Sequence, residues 1–329
     1  MNDKVKWGII GPGRIAGHFA RDLKLAGSAE LYAVGSRSAE RAKEFAEAHG
    51  VEKAYGSYEE LAADPEVDIV YIATPHPQHR DNALMCIENG KAVLCEKPFT
   101  VNARETAQII KAARERGVFV MEAMWTRFLP TIRRVRSWID EGAIGTVKML
   151  NVSFGFKAPW VPEGRMLNKE LGGGAVLDAG IYTTSFASFV FGGQPVRIES
   201  AVRIGSTGVD EWFSALLDYG DDRMALIADA VQLPLRTEAV ICGTGGRIDI
   251  PKFFAAKSAT LYGADGTEQT FTDHGEGRGM FHEANEAMRC LREGLTESPG
   301  IPIGETLAIM KTLDALRKPW GIVFPADQE

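Results

Sequence analysis

The chain lacks most of what would place it outside the ordinary globular class. It has only four cysteines, Cys86, Cys95, Cys242 and Cys290. None is at CxxC spacing. All four sit in apolar or helical patterns and are expected to be reduced and buried, as in a cytosolic protein. No apolar run is long enough to cross a bilayer, and "MNDKVKWGIIG" passes directly into a strand pattern. No membrane partner and a cytoplasmic location are therefore expected. The net charge of -7 offers no basic excess for nucleic acid. Long linkers, low-complexity tracts and internal repeats are missing. What is present is 45% hydrophobic and 25% charged content over 329 residues, too long for one ordinary core. Two domains follow, with the boundary expected at 123/124.

Residues 1–123 alternate short apolar runs with helical patterns. "VKWGII", "ELYAVGSR", "DIVYIATP", "AVLCEKP" and "VFVME" read as strands. The segments between them read as helices, with stops at Gly50, Gly90 and Gly117. This is the βαβ pattern of a doubly wound parallel sheet, a Rossmann domain. From residue 124 the pattern changes to strand-like runs such as "DEWFSALLDYG" and "DRMALIADAVQ", separated by close turns. That predicts an α+β domain on a mostly antiparallel, meandering sheet, with a closing helix that can return to the first domain. Trp212, Phe213, Ala215, Leu216 and Leu217 put apolar side chains on both faces of one strand. A homo-oligomer through this sheet is expected.

"GPGRIA", from Gly11 to Ala16, lies between the first strand and its helix. In that context it is a dinucleotide fingerprint. Gly11 permits the tight turn, Gly13 admits the pyrophosphate, and Arg14, Ile15 and Ala16 open the helix whose N-terminus meets the phosphates. An acid at the end of the second strand would bind the ribose hydroxyls of NAD. Here the tip is Gly35-Ser36-Arg37-Ser38, with Arg41 one turn on, and no carboxylate. Ser36 and Arg37 suit a 2′-phosphate, so NADP is expected, with NAD possible. Other strand ends should also face the dinucleotide. They supply Thr74, Pro75, His76 and His79, then Glu96 and Lys97. His76 and His79 have HxxH spacing, but no third ligand lies nearby and no metal is expected. Lys97, fixed by Pro98, should point at the nicotinamide end.

"LGGGAVLDAGIYTTSF" carries three adjacent glycines, then Asp178 and Tyr182 four residues apart. On one continuous helix these two side chains share a face. Gly172, Gly173 and Gly174 would admit a flat ligand or permit positive φ. The same residues also make sense as a glycine turn before a core helix. Trp125 and Arg127 follow the last Rossmann strand; Phe154, Phe156 and Trp160 lie on or after the first strand of the second domain. They are candidate substrate contacts, and equally candidate core residues.

"GIIGPGRIA", "EKPFT" and "LGGGAVLDAGIY", in this order, resemble the glucose–fructose oxidoreductase / inositol dehydrogenase (Gfo/Idh/MocA) family over nearly the whole chain. "GSRSAERAKEFA", "MEAMWTRFLP" and "DAGIY" look most like its dihydrodiol and NADP-dependent xylose dehydrogenase branch. The resemblance implies that the sheet of the second domain is large and open-faced. It also implies NADP-dependent hydride transfer on a secondary alcohol or carbonyl of a sugar, polyol or trans-dihydrodiol, with the active site between the domains. A keto-sugar or dicarbonyl reductase, or a catalytically silent NADP-binding regulator, are the alternatives. Many members of the family carry histidine where this chain has Tyr182. The resemblance implies that Tyr182 is the general acid/base. A phenol ionises near pH ~10 and needs a neighbouring cation, the role of Lys97. Asp178 would orient the pair and the substrate, with Trp125 and Phe154 as pocket walls.

Overall fold

The computed structural model describes residues 4–328, and the chain clusters into two compact units. The first contains β1 (Val5–Ile10), α1 (Arg14–Leu23), β2 (Ala29–Gly35), α2 (Ala39–His49), β3 (Lys53–Tyr55), α3 (Tyr58–Ala63), β4 (Ile69–Ile72), α4 (His79–Glu88), β5 (Ala92–Glu96), α5 (Ala103–Arg116) and β6 (Val120–Ala123). Its six strands are parallel in the order β3-β2-β1-β4-β5-β6. The order reverses beside β1, so the carboxyl ends of β1 and β4 flank the crevice where ligands bind in such sheets. β4 and β5 are buried along their whole length, which explains their uninterrupted apolar runs. β3 and α3 were not expected. A three-residue strand and a six-residue helix are too short to show a period, although the Ser57 side chain does cap α3 by accepting from the Glu60 amide.

The second unit contains α6 (Pro130–Asp140), β7 (Val147–Gly155), α7 (Ala175–Asp178), α8 (Gly180–Phe191), β8 (Arg197–Ile204), β9 (Asp210–Gly220), β10 (Arg223–Ala230), β11 (Glu238–Gly243), β12 (Gly246–Pro251), β13 (Ser258–Gly263) and β14 (Glu268–Thr272). Eight strands form one sheet in the order β14-β13-β12-β11-β7-β10-β9-β8. Only β7 and β10 pair in parallel; the other neighbours are antiparallel. The inner face buries Phe213, Ala215, Leu217, Ala225 and Ile227, with α8 packed over β7 and β10. The outer face exposes Trp212, Met224 and Leu226. Apolar residues on both faces, read from the alternation of β9, are therefore present. Cys86, Cys95 and Cys290 are buried, and burial pushes the Cys86 thiol up to about 12. Cys242, expected to be buried, is half-buried instead, because its strand β11 turns it to the outer face.

After β14 come α9 (Phe281–Arg292) and α10 (Ile303–Arg317). The units do not separate at a single point near 123/124. The first runs to Trp125, apart from Val101–Ala103, and also takes in Gly275–Thr306. Its physical basis is the buried Asp22 of α1. One carboxylate oxygen accepts from the amides of Arg278, Gly279 and Met280, each at 2.9 Å, at the entry to α9. The Val120 amide donates to Thr296 and the Thr306 hydroxyl to Glu122. Three amides at a helix start are orphan donors that a buried carboxylate satisfies. Asp22→Ala should cost roughly 2–4 kcal/mol, since hydrogen bonds to a charged group contribute more than neutral ones, and Asp22→Asn should cost less. Urea unfolding of both variants tests this; equal stability of all three proteins would remove the interaction's importance.

Candidate active site

The first constellation lies at the carboxyl ends of β1, β2, β4 and β5. Gly11 has φ +81, and a Cβ there would stand 2.9 Å from the Thr74 amide nitrogen. Gly13 differs: a Cβ there would have nothing closer than the Gly11 carbonyl oxygen at 3.9 Å. No protein atom needs a glycine at 13, so the open space above it belongs to whatever approaches the backbone. Gly13 also caps α1 without a side chain, and the first amides of that helix point into the same region. Arg14 and Ile15 are exposed beside it, while Ala16 is fully buried against the sheet. These features fit a dinucleotide pyrophosphate. At the end of β2, Ser36 is buried and its oxygen accepts from the Ser38 amide, which leaves its hydroxyl hydrogen to donate. Arg37 is exposed and stands beside Tyr58. Burial raises the Tyr58 phenol, and the guanidinium pulls it the other way. Arg41 is exposed one turn into α2. No carboxylate follows Gly35 before Glu40, which is bound to Ser38.

Thr74, Pro75 and His76 form the loop after β4. The Thr74 hydroxyl accepts from Asn82, and His76 is buried. His79 is not placed as a simple lining residue. It is fully buried, and its two ring nitrogens face the carbonyls of Thr74, at 2.8 Å, and Pro98, at 3.0 Å. It ties the loop after β4 to the loop after β5, and a metal would have to break one of those contacts. Among the described residues no cluster suited to a metal ion occurs. Glu96 is likewise buried. It accepts from the Tyr71 hydroxyl and the Lys97 amide, while Tyr71 stacks on Phe19 at 3.8 Å. Its carboxylate thus anchors the end of β5 and fixes where Lys97, half-buried, begins. Trp125, also half-buried, ends the first unit.

The second constellation is built on α7 and α8. The three glycines have reasons within the protein itself, positive φ among them. Gly172 has φ +69. A Cβ on Gly173 would lie 2.7 Å from the Arg165 carbonyl oxygen, and one on Gly174 (φ +116) would lie 2.2 Å from Asp210 Oδ1. The helix expected to carry Asp178 and Tyr182 is not continuous. Lys169–Asp178 and Gly180–Phe191 meet at 42°, and the Tyr182 amide donates three residues back to Ala179. Gly180 sits at this elbow because the Phe213 ring occupies the space, 2.9 Å from where a Cβ would be. Asp178 ends α7, and its carboxylate pairs with Arg165 Nη2 at 3.0 Å. Tyr182, 8% exposed, opens α8. Its ring meets Phe154 (5.4 Å) and Phe254 (5.6 Å) edge-on, while those two stack at 4.6 Å. Phe156 lies 5.8 Å from Phe154.

The Arg127 guanidinium donates to the Ser185 hydroxyl and carbonyl and lies over the Phe189 ring, so it fastens α8. Trp160 is 54% exposed. Sequence reasoning missed Arg165, Phe254, Asp210 and Asp229. Arg165 and Phe254 lie in aperiodic segments without a local signal. Asp229 did leave one: it continues the phase of Ala225 and Ile227, the buried side of β10. Asp210 and Asp229 are fully buried, and desolvation pushes Asp210 up to about 7 and Asp229 well above the carboxylate range.

A parallel sheet with a glycine cradle at its switch point, followed by a second domain built on one broad sheet, is the architecture of an NAD-binding oxidoreductase family. The chain belongs to the Gfo/Idh/MocA family. Residues 5–124 match the model of its oxidoreductase family, NAD-binding Rossmann fold, and residues 132–249 match the GFO/IDH/MocA C-terminal domain. It is an enzyme of the dehydrogenase class. It is 39% identical to the trans-1,2-dihydrobenzene-1,2-diol dehydrogenase of Xenopus laevis, over 97% of this chain and 99% of that protein. The Homo sapiens protein of the same name is 38% identical over 98% and 99%. Among solved structures, a 3-ketoreductase from Actinomadura kijaniata in complex with NADP and TDP-benzene superposes with TM-score 0.84 at 25% identity, covering 96% of this chain and 97% of that one. An aldose-aldose oxidoreductase from Caulobacter crescentus shares the fold at TM-score 0.87 and 21% identity, over 96% and 97%.

The two glycine sites make opposite expectations. Gly13→Ala should leave thermal unfolding nearly unchanged while weakening nicotinamide dinucleotide binding by about tenfold or more, because the new methyl fills only ligand space. Gly174→Ala should destabilise the fold by roughly 1–3 kcal/mol through strain and the Asp210 collision. Calorimetry with cofactor titration separates the two, and equal unfolding temperatures would refute the contrast. Asp210 carries a pH consequence. Its folded pKa lies above the ordinary value of 3.8, so the folded state holds the proton longer. Its contribution to stability is complete below about pH 4 and is lost as pH rises through 7. Unfolding free energy should fall more steeply between pH 5 and pH 8 in the native protein than in Asp210→Asn.

Proposed function

We propose that the enzyme oxidises a secondary alcohol of a small cyclic polyol, a trans-dihydrodiol or an aldopyranose such as xylose, with NADP as the preferred coenzyme. When bound, the nicotinamide supplies the hydride acceptor; the chain's own residues manage the proton and hold the substrate. The observation that carries the reading is Tyr182, set in an aromatic corner of Phe154 and Phe254 on the same unit as Asp178. The aromatic faces can pack against a ring's C–H surface and keep water from the reacting carbon. The phenol oxygen takes the hydroxyl proton as the carbonyl forms and returns it in reduction. The resemblance assigns Lys97 the charge that favours the phenolate, and Asp178, steadied by Arg165, hydrogen-bonds a substrate hydroxyl. The identity to dihydrodiol dehydrogenases over nearly their full length favours a dihydrodiol or sugar substrate.

Ser36 and Arg37, without an acid at the end of β2, favour the 2′-phosphate. A keto-sugar or dicarbonyl reductase is the same chemistry in reverse. The outer face of the second sheet forms a hollow lined by Ala201, Leu216, Leu226, Ala228 and Val240 among others. With Trp212 and Met224 exposed on that face, it supports a homodimer through the sheet; we read the enzyme as a cytoplasmic one acting on a small-molecule substrate.

Tyr182→Phe should lower turnover roughly 10²–10⁴-fold with NADPH affinity nearly intact. Arg37→Ala should raise the KM for NADP several-fold while leaving that for NAD unchanged. An absorbance screen of xylose, benzene trans-dihydrodiol and dicarbonyls, with both coenzymes, checks each. Full turnover in Tyr182→Phe would end its acid/base role, and a coenzyme preference unaltered in Arg37→Ala would end the 2′-phosphate assignment.

A further inference from the structure

The elbow between α7 and α8 stands over two carboxyl groups that the proposed chemistry does not use. Asp210, the first residue of β9, is fully buried, and its Oδ2 accepts from the Val176 amide at 2.5 Å. Its Oδ1 has no hydrogen-bond partner and fills the place of the missing Gly174 side chain. Asp229, on β10, is also fully buried. Its Oδ2 accepts from the Thr183 hydroxyl at 2.7 Å, and its Oδ1 is unpartnered. The Thr183 hydroxyl lies 3.2 Å from the Gly180 carbonyl, at the start of the same helix. One carboxyl therefore grips the first turn of α7, two residues before Asp178. The other grips the first turn of α8, through the residue next to Tyr182. A buried carboxyl with an orphan oxygen is costly. Apolar residues filling the same volume would pack the core without that penalty, so packing alone does not account for two of them at one bend.

We propose that Asp210 and Asp229 are positioning residues, which set Asp178 and Tyr182 relative to one another by anchoring the two arms of the elbow. This rests on the roles assigned to Asp178 and Tyr182 above. It extends the working machinery to two residues on neighbouring strands, β9 and β10, behind the site. The direction in which each arm leaves Ala179 then follows from where its carboxyl holds it.

The test compares Thr183→Val, Thr183→Ser, Asp210→Ala and Asp210→Asn with Tyr182→Phe. The probes are benzene trans-dihydrodiol, xylose and NADP. Thr183→Val keeps the side-chain volume but removes the donor to Asp229. It should lower kcat about tenfold or more, because small displacements of reacting groups are expensive, while the KM for NADP stays within about twofold. Thr183→Ser should restore most of the loss. Asp210→Ala should lower kcat similarly, and Asp210→Asn, which keeps an oxygen for the Val176 amide, should recover it. If Asp210→Ala does not fold, the threonine pair decides the matter. Turnover per folded molecule within about twofold of the native value in Thr183→Val, with Tyr182→Phe inactive, overturns the positioning role and leaves the function intact. Full turnover in Tyr182→Phe overturns both.

Discussion

The bond between Asp210 and the Val176 amide is the constraint around which the elbow of the second unit is built. A carboxylate with no access to water must be held by the backbone it meets, and the backbone must make room for it. Room is made by Gly174, whose φ of +116 and missing side chain accept the second oxygen. From this contact the rest follows in order. α7 starts where Asp210 holds it and ends after one turn at Asp178. The Phe213 ring forces a glycine at 180 and the chain bends there. Tyr182 emerges from the far side of the bend between Phe154 and Phe254. A desolvated acid, a glycine and an aromatic ring thus decide where a phenol points.

In the first unit the equivalent part is played by tied strand ends. His79 joins the loops after β4 and β5 through two carbonyls, and Glu96 joins Tyr71 to the Lys97 amide. Both residues look from the sequence like ligand contacts, and both are engaged in fixing the backbone. This is the support that places side chains to within fractions of an ångström on a scaffold. Lys97 leaves such a support directly, which makes its starting point rigid even though its own chain is long.

The fold was legible because its signals are local. β4 and β5 are unbroken apolar runs, "GPGRIA" falls between a strand and a helix, and the glycines at 50, 90 and 117 stop helices at left-handed positions. The parallel sheet and the dinucleotide cradle follow from these alone. The second unit was legible as a class, through alternation in β9 and β10, but its site was legible only in part. Tyr182 and Asp178 announce themselves by standing in an apolar segment. Their partners do not: Phe254 follows Lys252, which has φ +47, in a short irregular turn, and Arg165 lies between strand and helix. The pairing of Arg165 with Asp178 is set by tertiary packing, which no periodicity encodes. The elbow at 179 was invisible for a related reason. The Phe213 ring that leaves room only for a glycine at 180 comes from a different element, β9.

The return of residues 275–306 to the first unit bears on how the protein is made. Asp22 leaves the ribosome early, and the amide of Arg278 that satisfies it follows 256 positions later. Until then the carboxylate remains hydrated, and the sheet's α9-covered side is open. Contacts this distant in sequence form late and slowly. A partly closed nucleotide sheet therefore waits while most of the second unit is translated, and residues 275–306 then sew the first unit shut. A nascent chain that stalls inside the second sheet has a Rossmann core in name but not in completed form, and is a natural client for chaperones.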